Sequence, residues 1–144
     1  MGYISIIADD LTGASDTGIQ FRKYGLKTKV IVEVDELDEF LEGDEILAIN
    51  SNTRPLKGEK AYKKVYDICC LLKQAGFTRI YKKVDSTFRG NPGIELEAVM
   101  DALGSNLAIL APSFPDNGRF MRNGNLKISP VYGEAKDKEA ISLT

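Results

Sequence analysis

The chain has 144 residues, of which 43% are hydrophobic and 28% charged, and its net charge is −2. This length and composition predict a single globular domain with its own core, and the slightly acidic balance argues against a general nucleic-acid-binding surface. No apolar run approaches the roughly 18 residues that a membrane span needs, and the first residues have the pattern of a strand, not of a signal peptide. We therefore expect neither a nucleic acid nor a membrane as partner.

The sequence contains no histidine and two adjacent cysteines, Cys69 and Cys70. A disulfide between neighbouring residues is strained, so both cysteines are expected to be reduced thiols that pack as small apolar residues. Reduced thiols fit a cytoplasmic location. Without histidine, any proton transfer must use Asp, Glu, Lys or Tyr.

Strands and helices alternate along the chain. In chain order, the predicted elements are a strand (3–8), a helix (11–24), a strand (28–34), a short surface helix and loop (35–44), a strand (45–49), a long helix (57–75), a strand (77–84), a helix from Asn91 and Pro92 to about Gly104, and a strand (106–111). Asn91 has the position of an N-cap, and Pro92 that of the first helical residue. The alternation predicts an α/β fold with a Rossmann-like parallel sheet of about five strands and helices on both faces.

The pattern changes after Arg119. Residues 121–144 are weakly patterned, and they predict either a hairpin that turns at Asn123 and Gly124 or a partly disordered tail. We expect residues 1–120 to form the domain and residues 121–144 to form an irregular tail that could begin a linker.

Polar clusters follow four of the five predicted strands, at residues 9–16, 50–54, 85–90 and 112–119. The carboxyl ends of parallel strands meet at one edge of a sheet, so the clusters predict one composite site. Arginine and lysine suit a carboxylate, whereas Asp, Ser and Asn suit hydroxyls, and together they predict a small hydroxylated acid as ligand. The glycine-rich phosphate loops of the Rossmann and P-loop types are both absent.

The first cluster begins with adjacent carboxylates, Asp9 and Asp10. Asp10 or Thr12 could simply cap the following helix, but two carboxylates exceed what a cap requires. Together they could hold Mg²⁺, orient a hydroxyl or act as a base. Gly13 would allow a ligand to approach the start of the helix closely.

The basic residues have alternative interpretations. Lys82 and Lys83 must point to opposite faces of their strand, so at most one reaches the site, and Lys83 is favoured because it lies nearer the strand end. Arg89 is predicted to bind a carboxylate through its guanidinium fork. Arg54 and Arg119 could bind the ligand or could be solvated surface charges.

Three of these segments resemble the four-carbon acid sugar kinases, a family formerly known as a domain of unknown function. They are residues 7–17 (IADDLTGASDT), residues 81–91 (YKKVDSTFRGN), and residues 111–115 (APSFP) together with Gly118 and Arg119. The resemblance runs from about residue 3 to residue 119 and implies that the chain is the N-terminal domain, which binds the acid sugar. It implies an ATP-dependent phosphorylation of threonate, erythronate or 3-oxo-tetronate, with ATP and Mg²⁺ as cofactors of the complete kinase.

The resemblance also implies a division of roles among residues. Asp10 or Asp85 would orient or deprotonate the attacking hydroxyl, and Arg54 and Arg89 would hold the carboxylate. The other implied substrate-binding residues are Asp9, Thr12, Gly13, Asp16, Lys83, Ser86, Gly90 and Arg119. No metal ligand is assigned to the chain, and it is not expected to bind ATP or Mg²⁺ tightly alone. A C-terminal nucleotide-binding domain, in the same protein or a separate one, would be its partner, and self-association into a homo-oligomer is plausible.

Two alternatives to the kinase interpretation remain open. The chain could be a non-catalytic module that senses a sugar acid without phosphorylating it. It could also be a Rossmann-like domain with only a structural role in a dimer, although the density of polar residues at the strand ends argues against this. Whether the chain is an enzyme by itself is therefore left open.

Overall fold

The computed structural model describes residues 3–35, 37 and 46–128. Its elements in chain order are β1 (Tyr3–Ala8), α1 (Leu11–Lys23), β2 (Thr28–Ile31), β3 (Ile46–Asn50), α2 (Glu59–Gln74), β4 (Phe77–Lys83), α3 (Pro92–Leu103), a short 3₁₀ helix (Pro115–Asn117), β5 (Arg119–Arg122) and β6 (Asn125–Ile128). The contacts within the chain divide it into two compact units, residues 1–108 and 109–144. No helix of the described residues is long and apolar enough to cross a membrane.

The first unit contains a four-stranded parallel sheet with the strand order β2-β3-β1-β4. The pairing of β1 with β4 contains one irregularity, because Tyr3 is paired with Phe77 and Ile4 with Arg79, so that the register passes over Thr78. Beyond this point the register is regular, and Ala8 lies opposite Lys83. The carboxyl ends of β1, β3 and β4 therefore lie side by side.

Helices cover both faces of this sheet. On one face, α1 packs against a small cluster of buried side chains that consists of Ile6, Ala8, Ala14, Ile46 and Ala48. On the other face, α2 and α3 close a larger core that includes Ile7, Leu47, Ile49, Leu72 and Phe77. The predicted α/β class, with a parallel sheet and helices on both faces, is confirmed.

The N-cap residues of α1 and α3 use their side chains differently. The Asp10 side chain accepts a hydrogen bond from the Gly13 N–H at 2.7 Å, so it is the N-cap of α1. Asn91 occupies the N-cap position of α3, as predicted, but its side chain makes no capping hydrogen bond. Instead it donates to the carbonyl oxygens of Thr53 (3.0 Å) and Leu56 (2.8 Å). The predicted N-cap position was correct, but the Asn91 amide binds the loop after β3 and does not cap α3.

The predicted fifth strand, residues 106–111, is wrong. The structure gives these residues no strand pairing, and Leu107, Ile109 and Leu110 are exposed. The local contacts are of a turn type, with the Ser105 hydroxyl donating to the Leu107 carbonyl oxygen at 3.0 Å. A strand needs a partner for its backbone groups, and none of the described residues provides one here.

The described part of the second unit is a hairpin. β5 and β6 pair in antiparallel fashion, and Asn123 and Gly124, both with positive φ (52° and 77°), form the turn between them. This is the first of the two alternatives predicted for the tail, and positive φ at both turn positions is what an Asn-Gly turn favours. The rest of the tail (129–144) and most of the predicted acidic helix and loop (35–44) lie outside the described residues.

Candidate functional site

Loops from three strands meet at the carboxyl edge of the sheet. We call five of their charged residues the strand-end cluster: Asp9 and Asp10 after β1, Arg54 after β3, and Asp85 and Arg89 after β4. Three of the four predicted polar clusters thus contribute to one site. The fourth contains Arg119, which lies in β5 of the second unit and donates from Nη1 to the carbonyl oxygen of Asn117 at 3.0 Å.

Arg54 is the centre of the strand-end cluster. Its Nε and Nη2 donate to the two carboxylate oxygens of Asp9 at 2.8 and 3.1 Å, which is a bidentate pair. Its Nη1 lies 2.6 Å from Asp10 Oδ2, and its Nη2 lies 3.5 Å from Asp85 Oδ1. The hydrogen bond from Arg54 to Asp9 and the nearby negative charges raise the pKa of the guanidinium against the opposing effect of its burial.

The backbone holds Arg54 in this position. The Asp9 carbonyl oxygen accepts hydrogen bonds from the Thr53 N–H (3.1 Å) and from the Arg54 N–H (3.2 Å). The Ser51 hydroxyl donates to the Ala8 carbonyl oxygen at 2.7 Å and lies 2.8 Å from the Thr53 hydroxyl. Both hydroxyls are buried, so they anchor the loop after β3 to the end of β1.

Asp85 organises the loop between β4 and α3. Its carboxylate accepts hydrogen bonds from the N–H and hydroxyl of Thr87 and from the N–H, Nε and Nη2 of Arg89, at 2.5 to 3.3 Å. Burial acts to raise the pKa of Asp85, but these hydrogen bonds outweigh it and hold the pKa well below its usual range. The carboxylate is therefore ionised at neutral pH.

Backbone conformation in this loop is unusual. Phe88 has a φ of 58°, which a bulky residue rarely adopts. Gly90 has a φ of 86°, and a Cβ there would lie 3.2 Å from Asp9 Oδ2 and 3.4 Å from Arg54 Cγ. At Gly90 the loop after β4 therefore comes close to Asp9 and Arg54, and only glycine fits there without strain.

The remaining predicted residues of the first motif lie on α1. Asp10 caps the helix, as one of its interpretations predicts, and it also pairs with Arg54. Gly13 is buried, and a Cβ there would lie 2.9 Å from Asp10 Oδ1. Thr12 and Asp16 are exposed on the helix.

Lys82 and Lys83 point to opposite faces of the sheet, as alternation predicts. Lys83 lies opposite Ala8 on the α1 face, and its Cγ would be 3.4 Å from a Cβ at Gly13. Its Nζ donates to the Val84 carbonyl oxygen at 2.5 Å. Lys82 lies on the α2 and α3 face, where its Nζ is 2.7 Å from Glu95 Oε2. Lys83 is thus the lysine beside the start of α1, while Ser86 and Gly90 lie in the loop that contains Asp85.

Three residues of the site were not assigned from the sequence. Ser51 and Thr53 lay inside a polar segment from which only Arg54 was selected, and Asn91 was interpreted as a cap. For Ser51 and Thr53, the available signal was the density of hydroxyl and amide groups directly after β3. Their contacts show that they hold the loops after β1, β3 and β4 together.

The carboxylates of the strand-end cluster do not fit a metal ion. Asp9, Asp10 and Asp85 already pair with guanidinium groups, which occupy the oxygens that Mg²⁺ would need. Across residues 3–35, 37 and 46–128 the structure contains no group of three or more Asp, Glu, Cys or His side chains that could hold a metal. What the arrangement offers is a set of guanidinium donors and carboxylate acceptors suited to a polar organic ligand.

The sequence matches the family described as "Sugar-binding N-terminal domain" over residues 4–139. The chain belongs to this family. The match covers β3, β4, all but the first residue of β1, and every residue of the strand-end cluster.

Curated relatives of this sugar-binding domain are kinases of four-carbon acids. The chain is 40% identical to a D-threonate kinase of Bordetella bronchiseptica over 88% of its length, and 34% identical to a D-erythronate kinase of Heliobacterium modesticaldum over 95%. It is 30% identical to a 3-oxo-tetronate kinase of Methylobacterium radiotolerans over 89%. The chain spans about a third of the length of these relatives (32%, 32% and 31%).

Solved structures share the fold. A Bordetella bronchiseptica protein, described as a domain of unknown function with bound citrate and as a domain-swapped dimer, is 38% identical, with TM-scores of 0.79 and 0.81 in two crystal forms. The match covers 88% of the present chain and about a third of that protein (33% and 32%). A Salmonella typhimurium protein described as a putative tRNA synthase is 29% identical over 89% of the chain, with a TM-score of 0.74.

Proposed function

We propose that this sugar-binding domain binds a four-carbon sugar acid, of the threonate, erythronate or 3-oxo-tetronate type, at the strand-end cluster. The observation that carries the proposal is the presence of two guanidinium groups and three carboxylates at the carboxyl edge of a parallel sheet, where α/β proteins bind ligands. The names of the curated kinases supply the class of acid. The bound citrate described for the Bordetella protein supports a carboxylate ligand.

Arg89 is the residue that we assign to the carboxylate of the acid. Its side chain is 68% exposed, whereas that of Arg54 is 25% exposed and is enclosed by three carboxylates. A guanidinium has five N–H donors, and Arg89 uses two of them on Asp85. Three donors remain for a ligand, and Asp85 fixes their direction.

Asp10 is the carboxylate that we assign to a hydroxyl of the acid. Its side chain is 26% exposed, compared with 5% for Asp9 and 8% for Asp85. Asp85 accepts five hydrogen bonds and its pKa is lowered, so it is a weak base at neutral pH and acts by holding Arg89. Asp10 would orient the hydroxyl that attacks the phosphoryl donor.

The complete kinase, in this proposal, transfers a phosphoryl group from ATP with the help of Mg²⁺. Such reactions depend on positioning and on neutralising charge, which a second, nucleotide-binding domain would supply. The strand-end cluster would hold the acid in place, and closure of the two domains would exclude water from the site. We further propose that the protein is cytoplasmic and self-associates, the latter in line with the dimer described for the Bordetella protein.

Calorimetric titration of the chain with D- and L-threonate, D-erythronate and a 3-oxo-tetronate tests this proposal, with Mg-ATP titrated separately. Binding of one acid and not of Mg-ATP is expected. Arg89→Ala should weaken that binding by about 10- to 100-fold, the range of a charge-assisted hydrogen bond. Arg22→Ala removes an arginine from the last turn of α1, outside the strand-end cluster, and is the matched control. Unchanged affinity in Arg89→Ala would show that the carboxylate binds elsewhere.

A further inference from the structure

Lys82 and Glu95 form a buried ion pair that the proposed binding contacts do not use. Lys82 Nζ lies 2.7 Å from Glu95 Oε2, and the two side chains are only 5% and 1% exposed. Lys82 is the second-last residue of β4, and Glu95 lies in the first turn of α3. The pair therefore joins β4 to α3, the two elements that the loop with Asp85 and Arg89 connects.

Stability alone does not account for this pair. Removing two charges from water is costly, and apolar residues of similar volume are often equally or more stabilising at such a position. The geometry is also imperfect, because neither Glu95 carboxylate oxygen has a well-directed hydrogen bond among the described residues. A buried pair of this kind can be retained because it fixes one relative position of two elements.

The position that it fixes is that of the binding loop. Besides pairing with Glu95, the Lys82 ammonium donates to the Lys83 carbonyl oxygen at 3.0 Å, at the point where the strand ends. At the other end of the loop, the Asn91 side chain holds the carbonyl oxygens of Thr53 and Leu56. Between these two anchors, Asp85 directs the Arg89 guanidinium.

We propose that Lys82 and Glu95 are positioning residues: their ion pair sets the place of the loop that presents Arg89 to the sugar acid, without touching the acid. This inference rests on the proposed function for its ligand, but its structural part concerns the loop alone. A small misplacement of binding groups can weaken binding strongly even when the fold is unchanged.

The test is the double variant Lys82→Met/Glu95→Leu, which replaces both charges with apolar groups of similar size. We expect a melting temperature equal to or above that of the wild type, and affinity for the sugar acid reduced by about tenfold. Lys63→Met/Asp67→Leu removes a 2.8 Å ion pair whose side chains are 74% and 54% exposed on α2, and it should change neither quantity. If the apolar variant does not fold, Lys82→Gln/Glu95→Gln takes its place, with the same loss of affinity expected.

Amide hydrogen exchange separates this inference from the proposed function. The N–H groups of Thr87 and Arg89 donate to Asp85 in the loop, so a positioning role predicts faster exchange at both in the double variant, with α1 unchanged. Faster loop exchange in a protein that binds no sugar acid would reject the proposed ligand and keep the positioning role. A stable double variant with wild-type exchange at Thr87 and Arg89 and wild-type affinity would overturn the inference.

Discussion

The two arginines of the strand-end cluster are alike in chemistry and opposite in situation. Arg54 lies among three carboxylates, at 2.6 to 3.5 Å from Asp9, Asp10 and Asp85, and most of its side chain is covered. Among the residues that the structure describes, Arg89 pairs with Asp85 alone, and it extends into solvent. The difference shows that a guanidinium near a binding site can have either of two roles. It can be structural, when it neutralises carboxylates that lie close together, or it can bind a ligand, which requires N–H donors that are not already in use.

Asp85 connects the two arginines, so its removal should have the largest effect. In Asp85→Ala both arginines lose a buried carboxylate and the loop after β4 loses five hydrogen bonds. We expect unfolding free energy to fall by about 3 kcal/mol and sugar-acid binding to be lost. Urea denaturation measures the loss of stability and calorimetry the loss of binding. The control is Asp67→Ala, at an exposed carboxylate on α2. A loss below 1 kcal/mol would mean that the loop holds itself together without Asp85.

The Asp85 carboxylate also predicts a pH dependence. Its pKa in the folded protein is lowered from the ordinary value of 3.8, so its stabilising contribution is complete above that value and is lost as the pH falls below it. Asp85→Asn should therefore reduce the steepness with which stability falls in acid, and the difference from wild type should shrink between about pH 5 and pH 2. Urea midpoints measured across this range provide the test. A constant difference would argue against a lowered pKa.

Arg54→Met should come next in size. It leaves three carboxylates close together without their cation, and we expect unfolding free energy to fall by about 2 kcal/mol at pH 7. Arg89→Met removes two of the five hydrogen bonds to Asp85, so it should lower the unfolding free energy by less than Arg54→Met does, and it should weaken sugar-acid binding by about 10- to 100-fold. Equal destabilisation by the two variants would remove the distinction between the arginines.

Gly90→Ala should have a smaller effect that still distinguishes the two regions. The new Cβ would be strained by the φ of 86° and would press on Asp9 and Arg54, so we expect a destabilisation of about 1–2 kcal/mol. Gly25→Ala, at a φ of 81° with open space around it, carries the conformational strain without the crowding. The excess of the first variant over the second, measured by thermal unfolding, reports the close approach. No excess would mean that Arg54 moves aside freely.

The sequence predicted the architecture because, in the first unit, the apolar residues that recur at helix or strand spacing are the residues that the fold buries. The strand-end rule brought Asp9, Arg54 and Asp85 together correctly, but it could not tell a saturated arginine from a free one. The alternation of side chains along β4 placed Lys82 and Lys83 on opposite faces of the sheet, but it did not show that Glu95 pairs with Lys82. The apolar residues 106–111 were predicted as a strand because a short apolar run looks the same whether or not it finds a partner.

The irregular pairing at Thr78 has a consequence for insertions and deletions. If β1 and β4 paired without it, every later residue of β4 would shift by one, and Lys82, not Lys83, would lie opposite Ala8. Deleting Thr78 itself should therefore be tolerated, since it leaves the pairing of the following residues unchanged. Deleting one residue further along, at Tyr81, would move both lysines to the wrong faces and separate Glu95 from its cation. A single extra residue at the start of a strand thus decides which chemistry appears at its other end.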